Sequence, residues 1–142
     1  MQRVKIEIPQ RILYSFPFTI TQADINIAEH MGNERILVFA NTVRENFFAY
    51  FKLNYVDVEN KVGIIVANHT INYKSEGFLG DEIVCEVGVD TITECSFDLI
   101  FHFIKNQERT LAVLRTGCVY FNFKERKINA LPDSYLQVFE KK

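Results

Sequence analysis

The sequence predicts an α+β fold: one antiparallel five-stranded sheet wrapped around one long, apolar central α-helix. Three observations predict it. Residues 33–52 form the one long segment with helical spacing, and apolar side chains cover most of its circumference. One β-prone run precedes that segment, and four follow it in succession. Of the 142 residues, 48% are hydrophobic and 24% charged, enough apolar material for one core in one domain spanning residues 1–142.

Each element has its own signal. Residues 11–22 (RILYSFPFTITQ) are apolar and β-prone, with Pro17 suited to an edge position. In the helix, Ile36, Ala40, Val43, Phe47, Tyr50 and Phe51 fall in one sector, and Asn41, Glu45 and Lys52 lie roughly opposite. Phe39, Leu37, Val38 and Phe48 widen the apolar sector, so the helix needs cover on most sides. Val62 to Lys74 is long and rich in β-branched residues. Glu82 to Asp90 alternates, with Ile83, Cys85, Val87 and Val89 on one face, after a turn at Gly80-Asp81. Phe97 to Lys105 places Phe97, Leu99, Phe101 and Phe103 together, and Thr110 to Phe123 follows. The tail, Pro132 to Phe139, suits one or two helical turns with Pro132 at the start. The other face of these strands carries Ile65, Ala67, Ile71, Ile100 and Ile104. An apolar outer face implies cover by a second subunit, as a dimer or a dimer of dimers.

Composition excludes several function classes. A net charge of −2 carries no general footprint for nucleic acid or an anionic membrane surface. Three cysteines, Cys85, Cys95 and Cys118, are widely spaced in apolar stretches and read as small buried residues, not as a disulfide framework or zinc site. His69 and His102 have no ligand-spaced partner, so no metal is expected. Phosphate-binding glycine loops and a nucleophile elbow are absent, and Gly77 and Gly80 only flank a hairpin. The N-terminus has no apolar core of a signal peptide, and no run approaches 18 apolar residues, which makes a cytoplasmic location the expectation.

The segment Asp24-Ile25-Asn26-Ile27-Ala28-Glu29-His30-Met31-Gly32-Asn33 is similar to the loop D-x-D-x-x-x-H-x-x-N before the central helix of hotdog-fold acyl-CoA thioesterases of the 4-hydroxybenzoyl-CoA thioesterase type. It is closer still to a thioesterase-like subgroup with D-I-N-x-x-x-H-x-G-N. His69 to Asp81, Gly117 to Phe123 and Lys127 to Pro132 resemble the later strands and the exit of that fold, so the likeness runs from about residue 12 to about residue 136. It implies hydrolysis of an acyl-CoA or acyl-carrier thioester, with coenzyme A as part of the substrate and no other cofactor.

The chemistry assigns candidates. In this family, backbone N–H groups at the start of the central helix polarise the thioester carbonyl, here from around His30 to Asn33. Gly32 permits close backbone approach to a ligand, or serves only the turn into the helix with Asn33 as N-cap. The family's loop carboxylate maps onto Asn26, and an amide is neither a base nor a good nucleophile. The helix Glu used by other members maps onto Thr42, with Glu45 nearby. Three substitutes remain open: Asn26 orienting a water, Glu29 or Asp24 as base, or His30 as base. Structural roles stand beside them: Asn26 and Glu29 as a capping pair, Asp24 as a tie to the loop backbone. The resemblance also implies that the pantetheine arm passes Tyr73, Lys74 and Ser75 between subunits. Cations able to meet its phosphates are Lys74, Arg109, Arg115, Lys124, Arg126 and Lys127. Of the thirteen phenylalanines, those on the helix and on residues 97–103 fill the core, and a few can line an acyl tunnel. A binder that kept the fold and lost the carboxylate is the competing reading. A dehydratase ranks below both, because no His–carboxylate signature for it is evident.

Overall fold

Alternation of apolar and polar residues puts one face of each long strand against the helix, and the chain folds accordingly. The computed structural model describes residues 1–140. In order it contains β1 (Tyr14–Thr19), a 3₁₀ turn (Gln22–Asp24), α1 (Arg35–Tyr50), β2 (Val56–Asp57), β3 (Val62–Tyr73), β4 (Glu82–Asp90), β5 (Ser96–Lys105), β6 (Arg109–Asn122), β7 (Lys127–Ile128) and α2 (Asp133–Glu140). The architecture is α+β, with a curled antiparallel sheet ordered β1-β4-β5-β6-β3-β2 and β7 paired to β6. The sheet has seven strands, not the five expected. The two additional ones, β2 and β7, are two residues each, too short for an alternation signal. Among the described residues there are two α-helices, α1 of 16 residues and α2 of 8.

The core lies between α1 and the sheet. Ile36, Ala40, Val43 and Phe47 of α1 are fully buried and Phe48 nearly so. They meet Ile83, Cys85 and Val87 of β4, Phe97, Leu99, Phe101 and Phe103 of β5, and Leu114 and Cys118 of β6. Burying each large side chain contributes roughly 1.5–3 kcal/mol. The helix is less enclosed than its composition suggests. Tyr50, placed in the apolar sector, is 66% exposed, and Val38 is 40% exposed. Behind α1, Tyr135 and Phe139 of α2 close the far end of the core.

Two features of the sheet depart from the expected pattern. A bulge between Val66 and Asn68 shifts the register of β3 against β6. One extra residue exchanges the two faces of everything beyond it. Ile71, expected on the outer face, therefore packs against the main core. The outer face is also covered in part by the chain's own N-terminal segment. Ile6 is buried against Ile100 and Val113. Asn72 holds that segment at two points, donating to Val4 O at 2.8 Å and accepting from Ile6 N–H at 3.3 Å.

Cys85 and Cys118 are buried as expected, and burial raises both thiol pKa values, Cys118 to about 12. Cys95 is only half-buried and precedes β5, outside any strand. No helix among the described residues is long and apolar enough to cross a membrane.

Candidate active site

The loop between β1 and α1 is held from both ends. Asp24 is buried, and its carboxylate is fully engaged. One oxygen accepts from Thr21 N–H at 2.9 Å and Thr21 Oγ1–H at 3.2 Å. The other accepts from Arg35 Nε at 2.9 Å and Nη2 at 2.8 Å. Its backbone carbonyl takes Gly32 N–H at 3.0 Å. Asp24 thus ties the loop to the first residue of α1. Between these anchors the chain makes a tight reversal. Ile25 bridges Met31, Asn26 N–H donates to His30 O at 2.9 Å, and Glu29 N–H donates to Asn26 O at 3.0 Å.

The expected Asn26–Glu29 capping pair does not form. Asn26 Oδ1 instead accepts Ala28 N–H at 3.0 Å, closing a local turn. Glu29 sits at φ +67°, the left-handed conformation of a reversal rather than the start of a helix. Asn33 is not the N-cap of α1 either. Glu34 holds that position, in near-helical conformation and with no capping hydrogen bond from its side chain.

His30 Nδ1 lies 3.1 Å from Met31 O. A carbonyl only accepts, so Nδ1 is the donor in this contact, and in the neutral ring Nε2 keeps its lone pair. Met31 N–H donates to Gly77 O at 2.8 Å, which draws the β3–β4 connection against the loop. Tyr73, at the end of β3, donates from its hydroxyl to Asn33 O at 3.0 Å.

These contacts shape a cleft of about 330 Å³, lined by Asn26, His30, Met31, Asn33, Glu34, Tyr73, Ser75, Glu76 and Gly77. Of the predicted site residues it collects Asn26, His30, Asn33, Tyr73 and Ser75. Asp24, Glu29, Gly32 and Lys74 do not line it. Ser75 Oγ is occupied as a donor to Thr110 O at 2.8 Å. Gly32 N–H, an expected oxyanion donor, is taken by Asp24 O, whereas the N–H groups of Asn33 and Glu34 meet no acceptor among the described residues. Donors are therefore available at the helix start, at Asn33 as expected and at Glu34, one residue beyond the expected set.

Glu34 and Glu76 are cleft residues that the sequence reading missed. Burial raises the Tyr73 hydroxyl pKa, and the Glu34 charge beside it adds to the rise. The positions Thr42 and Glu45 are both exposed on α1, and Thr42 Oγ1 bonds back to Val38 O. A larger hollow, about 480 Å³, lies between Leu13, Phe51 and Val138 beyond the other end of α1, and no predicted site residue lines it.

The remaining candidates serve the sheet. His69 Nδ1 pairs with Thr116 Oγ1 at 2.9 Å and His102 Nε2 with Thr110 Oγ1 at 2.8 Å. Desolvation lowers the pKa of both rings. No cluster able to hold a metal occurs among the described residues. Arg115 lies 3.9 Å from Asp98, and Lys127 pairs with Glu125 at 3.0 Å.

A family model described as the thioesterase-like superfamily matches residues 20–139. The chain belongs to that superfamily. The match takes in the β1–α1 loop, α1 and every strand from β2 to β7. Solved structures share the fold of this thioesterase-like protein. The 1,4-dihydroxy-2-naphthoyl-CoA thioesterase of Synechocystis superposes with a TM-score of 0.83 at 14% identity, over 90% of this chain and 96% of that one. A gentisyl-coenzyme A thioesterase superposes at 0.78 with 20% identity, over 89% and 99%. A Staphylococcus aureus protein solved in complex with CoA superposes at 0.83 with 17% identity, over 96% and 86%. A search of curated proteins finds no sequence match.

Proposed function

We propose that this thioesterase-like protein hydrolyses acyl-CoA thioesters in the cleft at the start of α1. The observation that carries the reading is the pair of unpartnered N–H groups, Asn33 and Glu34, at the positive end of a 16-residue helix inside a lined cleft. Such donors suit the oxygen of a tetrahedral intermediate. His30 and Asn26 hold the attacking water. With Nδ1 bound to Met31 O, the Nε2 lone pair of His30 is its free acceptor, and the side-chain amide of Asn26 is its second partner. Asp24 acts at a distance, by fixing the loop to Arg35, and Glu29 stays on the exposed reversal.

The substrate's CoA arm runs past Tyr73, Lys74 and Ser75, the end of a strand whose outer edge is open. Beyond the short pairing with β2 at Val62 and Gly63, the edge of β3 through Tyr73 has no strand partner among the described residues. A second copy added along that edge in antiparallel fashion would wall the cleft at Tyr73, which supports a homodimer. The CoA bound by the Staphylococcus aureus neighbour and the CoA thioesters named for the other two support CoA over a carrier protein.

One observation favours a second reading, a binder without turnover: Asn26 stands where the family's loop carboxylate is expected. Thiol release decides between them. Incubation with short, long and aromatic acyl-CoAs should liberate CoA. His30→Ala and Asn26→Ala should lower the rate at least about tenfold. Thermal stabilisation by acyl-CoA without thiol release would establish the binder, and no stabilisation by any acyl-CoA would remove both readings.

A further inference from the structure

We infer that Glu34 is the general base of the reaction, replacing the carboxylate that Asn26 lacks; this rests on the hydrolase reading above. The proposal follows from what each carboxylate near the cleft is free to do. Asp24 has both oxygens committed to Thr21 and Arg35. Glu29 lies on the exposed reversal and does not line the cleft. Thr42 carries no carboxylate, and Glu45 is exposed on α1, outside the cleft. Glu34 and Glu76 remain.

Glu34 is distinguished by its backbone and by its neighbours. It supplies one of the two unpartnered N–H groups, so its own residue would touch the substrate carbonyl. Its side chain folds back over Gly32. A Cβ placed on Gly32 would lie 2.5 Å from Glu34 Oε1 and 2.6 Å from Oε2. The lack of a side chain at residue 32 is what lets the carboxylate occupy that place. Among the described residues the carboxylate has no hydrogen-bond or ion-pair partner, and it makes no capping bond to the helix. It also lies close enough to Tyr73 for its charge to act on that hydroxyl. A free carboxylate, beside free oxyanion donors, in a cleft with His30 and Asn26, is the constellation that base-assisted hydrolysis needs.

The step balances without a further reagent. Water oxygen bonds to the thioester carbon while one of its protons passes to the Glu34 carboxylate. The carbonyl electron pair moves to oxygen, held by the Asn33 and Glu34 N–H groups. Collapse breaks the carbon–sulfur bond, the pair leaves on sulfur, and the protonated Glu34 returns its proton to the thiolate. The products are the free acid, which ionises, and CoA thiol.

The test compares Glu34→Gln, Glu34→Asp, Glu76→Gln and His30→Gln in steady-state thiol release across pH. Glu34→Gln should lower kcat about 10²–10⁴-fold with little change in KM, and should abolish the acid limb of the kcat profile. Glu34→Asp should retain part of the rate. Thermal melts show whether each variant is folded. If the wild type releases thiol and folded Glu34→Gln stays within about twofold of it, the base is not Glu34. A loss confined to Glu76→Gln or to His30→Gln would place the base there and overturn the assignment equally. A wild type that binds acyl-CoA and releases nothing fails the hydrolase reading itself, and the base with it.

Discussion

Replacing Asp24 by Asn tests whether this residue builds the site or reacts in it. The carboxylate is buried, 6% exposed, and receives four donors from Thr21 and Arg35. In the Asn variant the amide oxygen can keep the two Arg35 contacts, but the amide nitrogen then faces the Thr21 N–H, donor against donor. That loses one charge-assisted bond, roughly 1.5–3 kcal/mol, and weakens the two remaining contacts to Arg35 by removing the charge. Arg35 is 28% exposed and can turn partly to water, so the total falls short of the roughly 3–5 kcal/mol of a fully buried pair. A destabilisation of about 2–4 kcal/mol is expected, which for a chain of this size lowers Tm by roughly 6–12 °C. Chemical denaturation at pH 7 of Asp24→Asn, Arg35→Met and the double variant measures the coupling directly. A single-variant loss under about 0.5 kcal/mol, or a coupling near zero, would refute the tie. Turnover separates the roles further. A positioning residue predicts that Arg35→Met, which keeps the carboxylate, slows thiol release about as much as Asp24→Asn does.

Gly32→Ala should cost less than about 1 kcal/mol in denaturation, because the three atoms nearest the new methyl all belong to the far end of the flexible Glu34 side chain. It should nevertheless slow thiol release at least about tenfold, because the carboxylate must move. Arg44 is buried on α1 with Nε and Nη1 unpartnered among the described residues, and only Asn41 Oδ1 at 2.9 Å and Tyr55 OH at 3.5 Å meet Nη2. Arg44→Met should therefore be neutral or raise stability by up to about 2 kcal/mol in denaturant, and a loss above about 2 kcal/mol would show that the charge is satisfied. In the native protein a thiol reagent at pH 8 should modify Cys95 alone, since burial pushes the Cys118 thiol up to about 12 and Cys85 well above its ordinary value; denaturant should release all three. Desolvation lowers the His102 pKa, outweighing the opposing pull of Glu86, so between the depressed folded value and the unfolded one the unfolded chain binds more protons. Stability contributed there rises with pH, and acidification from pH 7 should lower Tm less in His102→Gln than in the wild type.

The long elements are legible because their signals are regular. Glu82–Asp90 is recovered to the residue from alternation alone, and α1 is recovered with its ends overestimated by two residues each. What fails is local and two-residue in scale. β2 and β7 carry no periodicity, and the bulge at Val66/Asn68 hides the exchange of faces that takes Ile71 into the core. The site shows the same division. The loop motif singles out Asn26 and His30, and both line the cleft, because their spacing matches the reversal that puts them there. Glu34 goes unnoticed because a Glu just before a helix reads as ordinary first-turn charge. Its place depends on the bare Gly32 backbone and on Tyr73, which bonds to Asn33, forty residues earlier in the chain. A signal was present all the same: Gly followed two residues later by Glu at a helix start leaves room for the carboxylate to fold back.

The cover on the outer face bears on how a second copy can attach. Apolar residues on that side suggested an interface across the sheet, but Ile6 already seals Ile100 and Val113, each at most 5% exposed. The segment is pinned by Asn72, itself buried, so lifting it would leave a buried amide without its two backbone partners. It also fits closely: a Cβ at Gly88 would come within 2.9 Å of Pro9 side-chain carbons. Pairing over this part of the sheet would have to displace a well-fitted segment, at the expense of both burial and hydrogen bonds. Among the described residues the edge of β3 beyond Gly63 pairs with no strand, although Ile64 N–H donates to Tyr55 O and Met1–Val4 lie beside its far end at Thr70–Tyr73. That edge ends at Tyr73, whose hydroxyl bonds to the start of α1. A copy bound there would meet the cleft, whereas a copy bound on the outer face would not. The short N-terminal segment thus weighs against pairing over the outer face at Ile100 and Val113.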